Sequence, residues 1–202
     1  MMMLDAAGHE AHPKERSHCP GCGTTLIAKC GTLVTWHWAH EVQDCDPWSE
    51  PESEWHHFWK RRLMAHGAAI EVVIPPHRAD ALVRNGPIIE LQATFLSAED
   101  IAEREAFYGP KMVWLYRCHW MDRVHFGKRG FWWKHAAKSL TTHRRPVFWH
   151  NGDDDVLRVS LGVVESGRVL GRVLEQRKAI DWTRFQCSPL SDATLNREVS
   201  HD

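Results

Sequence analysis

The stretch AIEVVIPPHRADALVRNGPIIELQAT, residues 69–94, decides the fold class. It predicts three strands, because its apolar and β-branched runs are separated by Pro75-Pro76 and by the turn residues Asn85-Gly86-Pro87. A fourth strand, KMVWLYR, is predicted at residues 111–117. The connections between these strands then decide what kind of sheet they form.

Two helices are predicted around these strands. The first, through EWHHFWKRRLMAHG, starts at Ser49 or Ser53 and ends near Gly67. Ser97 caps the second, SAEDIAEREAFYG, with Asp100 at the capping-box position. The order helix, three strands, helix, strand predicts an α/β fold with a mixed sheet flanked by helices.

The composition is that of an ordinary globular protein. Of its 202 residues, 43% are hydrophobic and 25% charged, and the formal net charge is −1. No apolar run approaches the ~20 residues of a membrane helix, and the N-terminus does not resemble a signal peptide. We therefore expect a cytoplasmic protein with reduced cysteines. Any surface that binds a polyanion must be local, because the whole chain is nearly neutral.

The sequence Cys19-Pro-Gly-Cys22-Gly has the spacing of a zinc knuckle, in which two thiolates leave a tight turn toward one ion. A tetrahedral site needs two more ligands, and His37, His40 and Cys45 follow. We favour His40 and Cys45, with His37 as the alternative to His40. A closed site of this kind is structural. A pair of reduced cysteines without metal is the competing interpretation.

Carboxylates on neighbouring strands are candidate ligands for Mg²⁺ or Mn²⁺, hard ions that take oxygen ligands. Asp80 lies in the second strand, and Glu90 and Gln92 lie two apart in the third, on one face. A hairpin brings Asp80 beside them, and the Leu91 carbonyl is a further ligand. We predict that Asp80 and Glu90 hold a metal for phosphodiester hydrolysis, while Gln92 orients the attacking water.

The helix before the strands carries a second polar set. Glu52, His56 and Lys60 are spaced i, i+4, i+8, at the edge of the face that packs on the sheet. If Ser53 is the cap, Glu52 precedes the helix and Glu54 becomes the alternative. Each residue alone is explained as a solvated charge or a polar strand position. Their order along the chain favours a catalytic site.

These residues resemble the competence protein CoiA and its relatives, which pair a Cys/His N-terminal segment with a PD-(D/E)XK nuclease domain. The resemblance covers about residues 19–116. It rests on motifs in order, namely Cys19-Pro-Gly-Cys22, His37-Trp-Ala-His40, Glu52-Ser-x-x-His56-x-x-x-Lys60, Arg78-Ala-Asp80, Glu90-Leu-Gln92 and Ile101-x-x-Arg104-x-x-x-Tyr108.

The resemblance implies a restriction-endonuclease-like fold and a metal-dependent nuclease activity. Gln92 stands where the wider superfamily usually has Lys, a variant that the CoiA-like group shares. His56 or Lys60 is then expected to compensate in activating the water. Arg104 and Tyr108 lie on one face of the second helix, where they either bind phosphate or brace the site, and core packing is the equal alternative.

Residues 123–145 form a basic, aromatic arm with seven Lys or Arg residues and no Asp or Glu. Lys128, Arg129 and Lys134, with aromatic residues between them, suit single-stranded or branched DNA, because cations bind phosphates and rings stack on bases. A solvated charge run, with its aromatic side chains in the core, is the equal alternative.

The predicted organisation is a flexible N-terminus at 1–17, a zinc-binding segment at 18–48, a nuclease-like domain at 49–165 and a partly helical tail at 166–202. The predicted function is a Mg²⁺-dependent nuclease that hydrolyses DNA in uptake, recombination or defence. Two alternatives stay open. One is a catalytically inactive zinc-containing protein that binds nucleic acid, and the other is an adaptor in a DNA-processing machine.

Overall fold

The computed structural model describes residues 9–32, 36–41, 46, 48, 52–119, 123–127, 130–134, 136–150, 155–165 and 168–178. Over these residues the chain forms a small sheet, a large mixed sheet and two α-helices. The predicted α/β class and the order helix, three strands, helix, strand are confirmed.

The small sheet is antiparallel, with its strands in the order β1-β2-β3. They are β1 (Arg16–His18), β2 (Thr25–Lys29) and β3 (His37–His40). Ala11 is fully buried against it, and the Trp38 indole N–H donates to the His9 carbonyl at 3.0 Å. The segment predicted to be flexible is therefore packed at Ala11 and paired in β1, whereas residues 1–8 lie outside the described part of the chain.

The large sheet combines parallel and antiparallel pairs. In chain order its strands are β4 (Ala69–Ile74), β5 (His77–Leu82), β6 (Ile88–Gln92), β7 (Met112–Arg117), β8 (Val124–Gly127), β9 (Gly130–Lys134), β10 (Val147–His150), β11 (Asp155–Glu165) and β12 (Arg168–Lys178). Their spatial order is β4-β5-β6-β7-β10-β11-β12-β9-β8. The pairs β6–β7 and β7–β10 are parallel, and the other pairs are antiparallel.

Two α-helices are described, α1 (Glu54–Ala65) before β4 and α2 (Ala98–Tyr108) between β6 and β7. Short 3-10 helices follow at Gly109–Lys111 and Lys138–Thr142. Neither α-helix has the length and apolar character needed to span a bilayer.

The two α-helices cover opposite faces of the sheet. On α1, Trp59 and Leu63 pack with Val113 and Leu115 of β7, whereas Ile101 of α2 belongs to the core that holds the alternate β7 residues, Met112, Trp114 and Tyr116. Successive strand residues point to opposite faces, so β7 is buried on both sides. This burial explains why its sequence is continuously apolar rather than alternating.

The sheet extends beyond the domain boundary that we predicted at residue 165. β12 pairs along β11 on one side, and its residues 168–171 pair with β9 on the other. The expected separate, partly helical tail is therefore wrong for residues 168–178, because they form an internal strand. Residues 179–202 lie outside the described part of the chain.

Candidate functional site

A tight turn after β1 presents the first two cysteines. The Cys19 amide donates to the Thr24 carbonyl at 2.8 Å, and the Gly23 amide donates to the Cys19 carbonyl at 2.9 Å. Gly23 has a φ of 73°, a conformation that favours glycine. The Gly21 amide donates to the Cys19 sulfur at 3.3 Å.

His40 faces this turn because β3 pairs with β2, where His40 lies opposite Leu26. His40 Nε2 is 3.4 Å from Cys22 Sγ. The ligand atoms of Cys19, Cys22 and His40 all lie within 4.8 Å of one another. Such spacings suit ligands that share one ion at about 2.0–2.3 Å. These three residues, here called the Cys/His group, can hold a metal ion such as zinc.

The other two zinc candidates have different outcomes. His37 lies at the opposite end of β3, paired with Lys29, and the metal-binding group found among the described residues contains His40 instead. The preference for His40 over His37 is therefore supported. Cys45 lies outside the described residues, so the fourth ligand stays a prediction.

The residues predicted for catalysis line one small cavity, here called the acidic cavity, with a volume of about 40 Å³. All six are present in its wall, namely Glu52, His56, Lys60, Asp80, Glu90 and Gln92. Arg104 of α2 also lines it. Side chains from both helices and from β5 and β6 thus meet at one point.

The start of α1 explains the position of Glu52. The N-cap is Ser53, whose amide donates to His56 Nδ1 at 3.1 Å, so that a histidine completes the capping box. Glu52 precedes the helix, and the predicted placement of three residues on one helical flank is wrong. Its carboxylate still lines the acidic cavity, whereas Glu54 is exposed on α1. These positions favour Glu52 over Glu54.

Lys60 is buried at the centre of the acidic cavity, with a side chain that is 1% exposed. Its Nζ lies 2.6 Å from Glu52 Oε1 and 2.8 Å from Asp80 Oδ1, and it also contacts Glu71 Oε1. Burial alone would lower the pKa of Lys60, but Asp80, Glu71 and Glu52 together raise it well above its usual value. Lys60 is therefore a buried cation held by three carboxylates.

The Leu91 peptide is anchored by Asp80, because its N–H donates to Asp80 Oδ2 at 2.9 Å. His56 is fixed at the start of α1, where its Nδ1 accepts from the Ser53 amide. Burial lowers the pKa of His56, although the nearby Asp80 acts in the opposite direction.

Among the described residues, one carboxylate oxygen of Glu90 has no hydrogen bond. The residue is 3% exposed, and its Oε2 accepts from Arg104 Nη1 at 3.2 Å. Its Oε1 is buried and has no hydrogen-bond partner among the described residues. Burial and the nearby Asp80 raise the pKa of Glu90 to about 8, although Arg104 acts against them. A cation beside Oε1 would offset the cost of this buried, unpaired oxygen.

Arg104 braces this carboxylate rather than projecting to solvent. It is 5% exposed, its Nη2 donates to the Trp48 carbonyl at 3.3 Å, and its guanidinium lies 5.4 Å from the centre of the Trp48 ring. The contact of Arg104 with Glu90 favours the bracing interpretation, and the predicted phosphate contact stays a prediction. Gln92, 1% exposed, lines the same cavity.

Sequence reasoning missed two acidic residues of the cavity. Glu71 of β4 has a φ of 56°, and its carboxylate contacts both Lys60 and the Arg78 guanidinium. Asp46 Oδ2 accepts from the Arg78 amide and Asp46 Oδ1 lies beside His77 Nδ1, both at 2.9 Å. The sequence feature that could identify Glu71 as a site residue is its acidic side chain inside the apolar run AIEVVI. The sequence around Asp46 offers no comparable feature.

The basic, aromatic arm contains the hairpin of β8 and β9. Phe131 and Trp133 are buried in the core, as the structural alternative expected. Trp132 instead stacks on His125, with ring centres 4.0 Å apart, and the Arg168 guanidinium lies 4.6 Å from its ring centre. The arm is therefore divided between core packing and a partly accessible aromatic surface.

Of the three basic residues predicted to bind nucleic acid, the structure describes one. Lys134 is exposed at the end of β9. Lys128 and Arg129 lie outside the described residues, so their predicted contact with nucleic acid stays a prediction. The surface near β9 nevertheless places Lys134 and Arg168 on directly paired positions of β9 and β12.

Comparison with known proteins gives no match for this chain. No protein-family model matches it, and neither does any curated protein or solved structure. The resemblance to the CoiA-like group therefore stays a prediction. What can be concluded about the two candidate sites comes from their own residues and geometry.

We predict that Cys22→Ser lowers the zinc content from about one ion per chain to near zero, because a tetrahedral zinc site does not survive the loss of a thiolate. Cys30→Ser is the matched control, since Cys30 follows β2 in the same small sheet but lies outside the Cys/His group. Elemental analysis of purified protein measures both. Equal zinc contents in the two variants would contradict the prediction.

We predict that Glu90→Gln gains stability relative to the wild type as the pH rises from about 5 to about 8. In the folded chain the pKa of Glu90 is about 8, against about 4.3 when unfolded. Between these values the folded state binds more protons, so the free energy of unfolding of the wild type falls with rising pH.

Glutamine does not titrate, so the difference in unfolding free energy between the two proteins should change by more than ~1 kcal/mol over this range. Urea unfolding at several pH values, without added Mg²⁺ or Mn²⁺, measures it. The exposed Glu54→Gln is the control, for which the difference should stay flat. A flat difference for Glu90→Gln as well would show that Glu90 is ionised throughout.

Proposed function

We propose that this chain is a divalent-metal-dependent nuclease with a restriction-endonuclease-like fold, similar to the CoiA-like proteins. One observation carries the proposal. The acidic cavity brings Asp80, Glu90 and Gln92 of neighbouring strands together with His56 and Lys60 of α1. The order of helix, three strands, helix and strand around the cavity supports the fold that the resemblance implies.

The donor set fits a Mg²⁺ or Mn²⁺ ion, because both take oxygen ligands. Glu90 Oε1 is a buried carboxylate oxygen without a hydrogen bond in the described part of the chain. Burial alone would raise the pKa of Asp80, but Lys60 lowers it below its usual value, so Asp80 is ionised. Asp80 and Glu90 would hold the ion, and the carbonyl of Leu91, the residue after Glu90, is a further candidate ligand.

The proposed chemistry divides between the ion and the chain. When bound, the ion polarises a phosphate and lowers the pKa of a coordinated water. Gln92 has no charge and no accessible proton-accepting state near neutral pH, so its amide orients the water rather than deprotonating it. Lys60 offsets the negative charge around Asp80, and Arg104 holds Glu90 in place.

The Cys/His group has a separate role in the proposal. Cys19, Cys22, His40 and Cys45 would hold a structural zinc, whose binding contributes about 10–16 kcal/mol to folding in small domains of this kind. A cytoplasmic location is part of the same proposal, because thiols stay reduced there and available to the ion.

The proposed substrate is DNA with single-stranded or branched character. The exposed Lys134, the stacked Trp132 with Arg168, and Phe126, which is 52% exposed, lie on β8, β9 and the adjoining part of β12. Cations and rings in alternation suit unpaired nucleotides, because every base offers a stacking face.

We predict that Asp80→Asn lowers Mg²⁺- or Mn²⁺-dependent cleavage of DNA by at least about 100-fold, since a lost metal charge costs several kcal/mol of transition-state stabilisation. Glu52→Gln should also lower cleavage, because it weakens the charges around Lys60. Glu54→Gln is the matched control on the exposed side and should cleave like the wild type. Gel assays with single-stranded, double-stranded and branched DNA measure the rates.

Full activity of Asp80→Asn would refute the assignment of the metal ligands. A wild type that binds DNA but cleaves no nucleic acid with any divalent ion would favour the catalytically inactive alternative. Equal losses in Glu52→Gln and Glu54→Gln would mean that the start of α1, and not the acidic cavity, is responsible.

We predict that charge reversal at Lys128, Arg129 and Lys134 weakens DNA binding and reduces its salt dependence. Each lost phosphate contact should lower the slope of log K against log salt by about 1. Lys111→Glu is the control, because Lys111 is exposed outside the arm. Fluorescence anisotropy over a salt series measures both quantities. An unchanged slope would place the DNA-binding surface elsewhere.

A further inference from the structure

The acidic cavity contains two neighbouring positions for a cation. At the first, Glu52, Glu71 and Asp80 surround the Lys60 ammonium. At the second, beside Glu90, one buried carboxylate oxygen has no hydrogen-bond partner within the described residues. Asp80 belongs to both, since Oδ1 binds Lys60 and Oδ2 accepts from the peptide that follows Glu90.

The net charge of the side chains that line the cavity is balanced by a single divalent ion. Five carboxylates in the described part of its wall face three cationic side chains, so the net charge is −2 when all are ionised. One divalent cation neutralises this charge, and two would leave an excess of +2. A buried net charge of either sign is costly, which favours the neutral arrangement.

The arrangement of the carboxylates leads to the same number. Pairs of catalytic metal ions lie about 3.5–4 Å apart and need carboxylates between and around them. Here the carboxylates that would surround a second ion are already bound to Lys60.

We infer that the Lys60 ammonium group occupies the position that a second metal ion would take, so that the acidic cavity binds one divalent ion and not two. This inference rests on the proposed function for the nature of the ion. Lys60 is then a positioning residue: it holds Asp80 and Glu71 in place and supplies fixed positive charge. It is not available to activate water, because its ammonium is engaged by three carboxylates.

The inference has a specific consequence for a variant without the lysine charge. Lys60→Gln leaves Glu52, Glu71 and Asp80 without their shared cation, and the net charge of the cavity becomes one unit more negative. The position should then accept a second divalent ion, which would lie close enough to the first for magnetic coupling. Lys60→Arg keeps the charge and should keep one ion.

Electron paramagnetic resonance of Mn²⁺ tests this without any nucleic acid. Zinc-replete protein is titrated with Mn²⁺, and the ions that Asp80→Asn fails to bind are counted as cavity ions. We expect one ion for the wild type, for Lys60→Arg and for Arg61→Gln, which removes an exposed charge from the same helix. For Lys60→Gln we expect two ions with the signature of a coupled Mn²⁺ pair.

Two coupled ions in the wild type would overturn the inference and leave the proposed nuclease standing. One uncoupled ion in a folded Lys60→Gln variant would also overturn it. No cavity ion in the wild type would refute the proposed function and the inference together. If Lys60→Gln does not fold, as judged by circular dichroism, the count for the wild type decides alone.

Discussion

The burial of one ammonium group among three carboxylates is the constraint on which the rest of the structure depends. Removing a charge from water costs several kcal/mol unless partners surround it. The partners of Lys60 are Glu52, which precedes the N-cap of α1, and residues of β4 and β5. These elements must therefore dock together to bury the ammonium group, and the candidate site depends on that docking.

The apolar layers around the cavity strengthen the interactions between these charges. On β6, Ile89 and Leu91 face the α1 core, so the alternate residues Glu90 and Gln92 point to the other side, where Arg104 of α2 meets Glu90. Charges interact more strongly in such surroundings than in water. The same surroundings make an unpaired oxygen costly, which is why the Glu90 carboxylate is suited to a cation.

Local patterns in the sequence predict much of this arrangement. The apolar runs and turns between Ala69 and Gln92 predict the strands, and a period of two places Glu90 and Gln92 on one face. Ser97 with Asp100 correctly marks the start of α2. What local patterns cannot supply is the choice between competing caps. Ser53 is selected because His56 closes the capping box, a task usually done by Glu or Gln.

Other features depend on contacts between distant residues. Glu71 is an acidic residue inside an apolar strand, and its partners, Lys60 and Arg78, are identified only by the folded structure. The sequence predicts a tail where β12 forms. Its pairing with β11 is local, because the two strands are consecutive, whereas its pairing with β9 joins strands that are separated along the chain by β10 and β11. Which residues form an ion pair, and which distant strands become neighbours, is decided only in the folded chain.

The position of β12 between β11 and β9 also bears on how the protein is made. Synthesis proceeds from the N-terminus, and β8 and β9 leave the ribosome well before the strand that joins them to the rest of the sheet. Until residues 168–171 emerge, this hairpin lacks its neighbour in the sheet, and β11 presents an open edge. Until β12 has been synthesised, both edges are therefore available for pairing with strands of other chains.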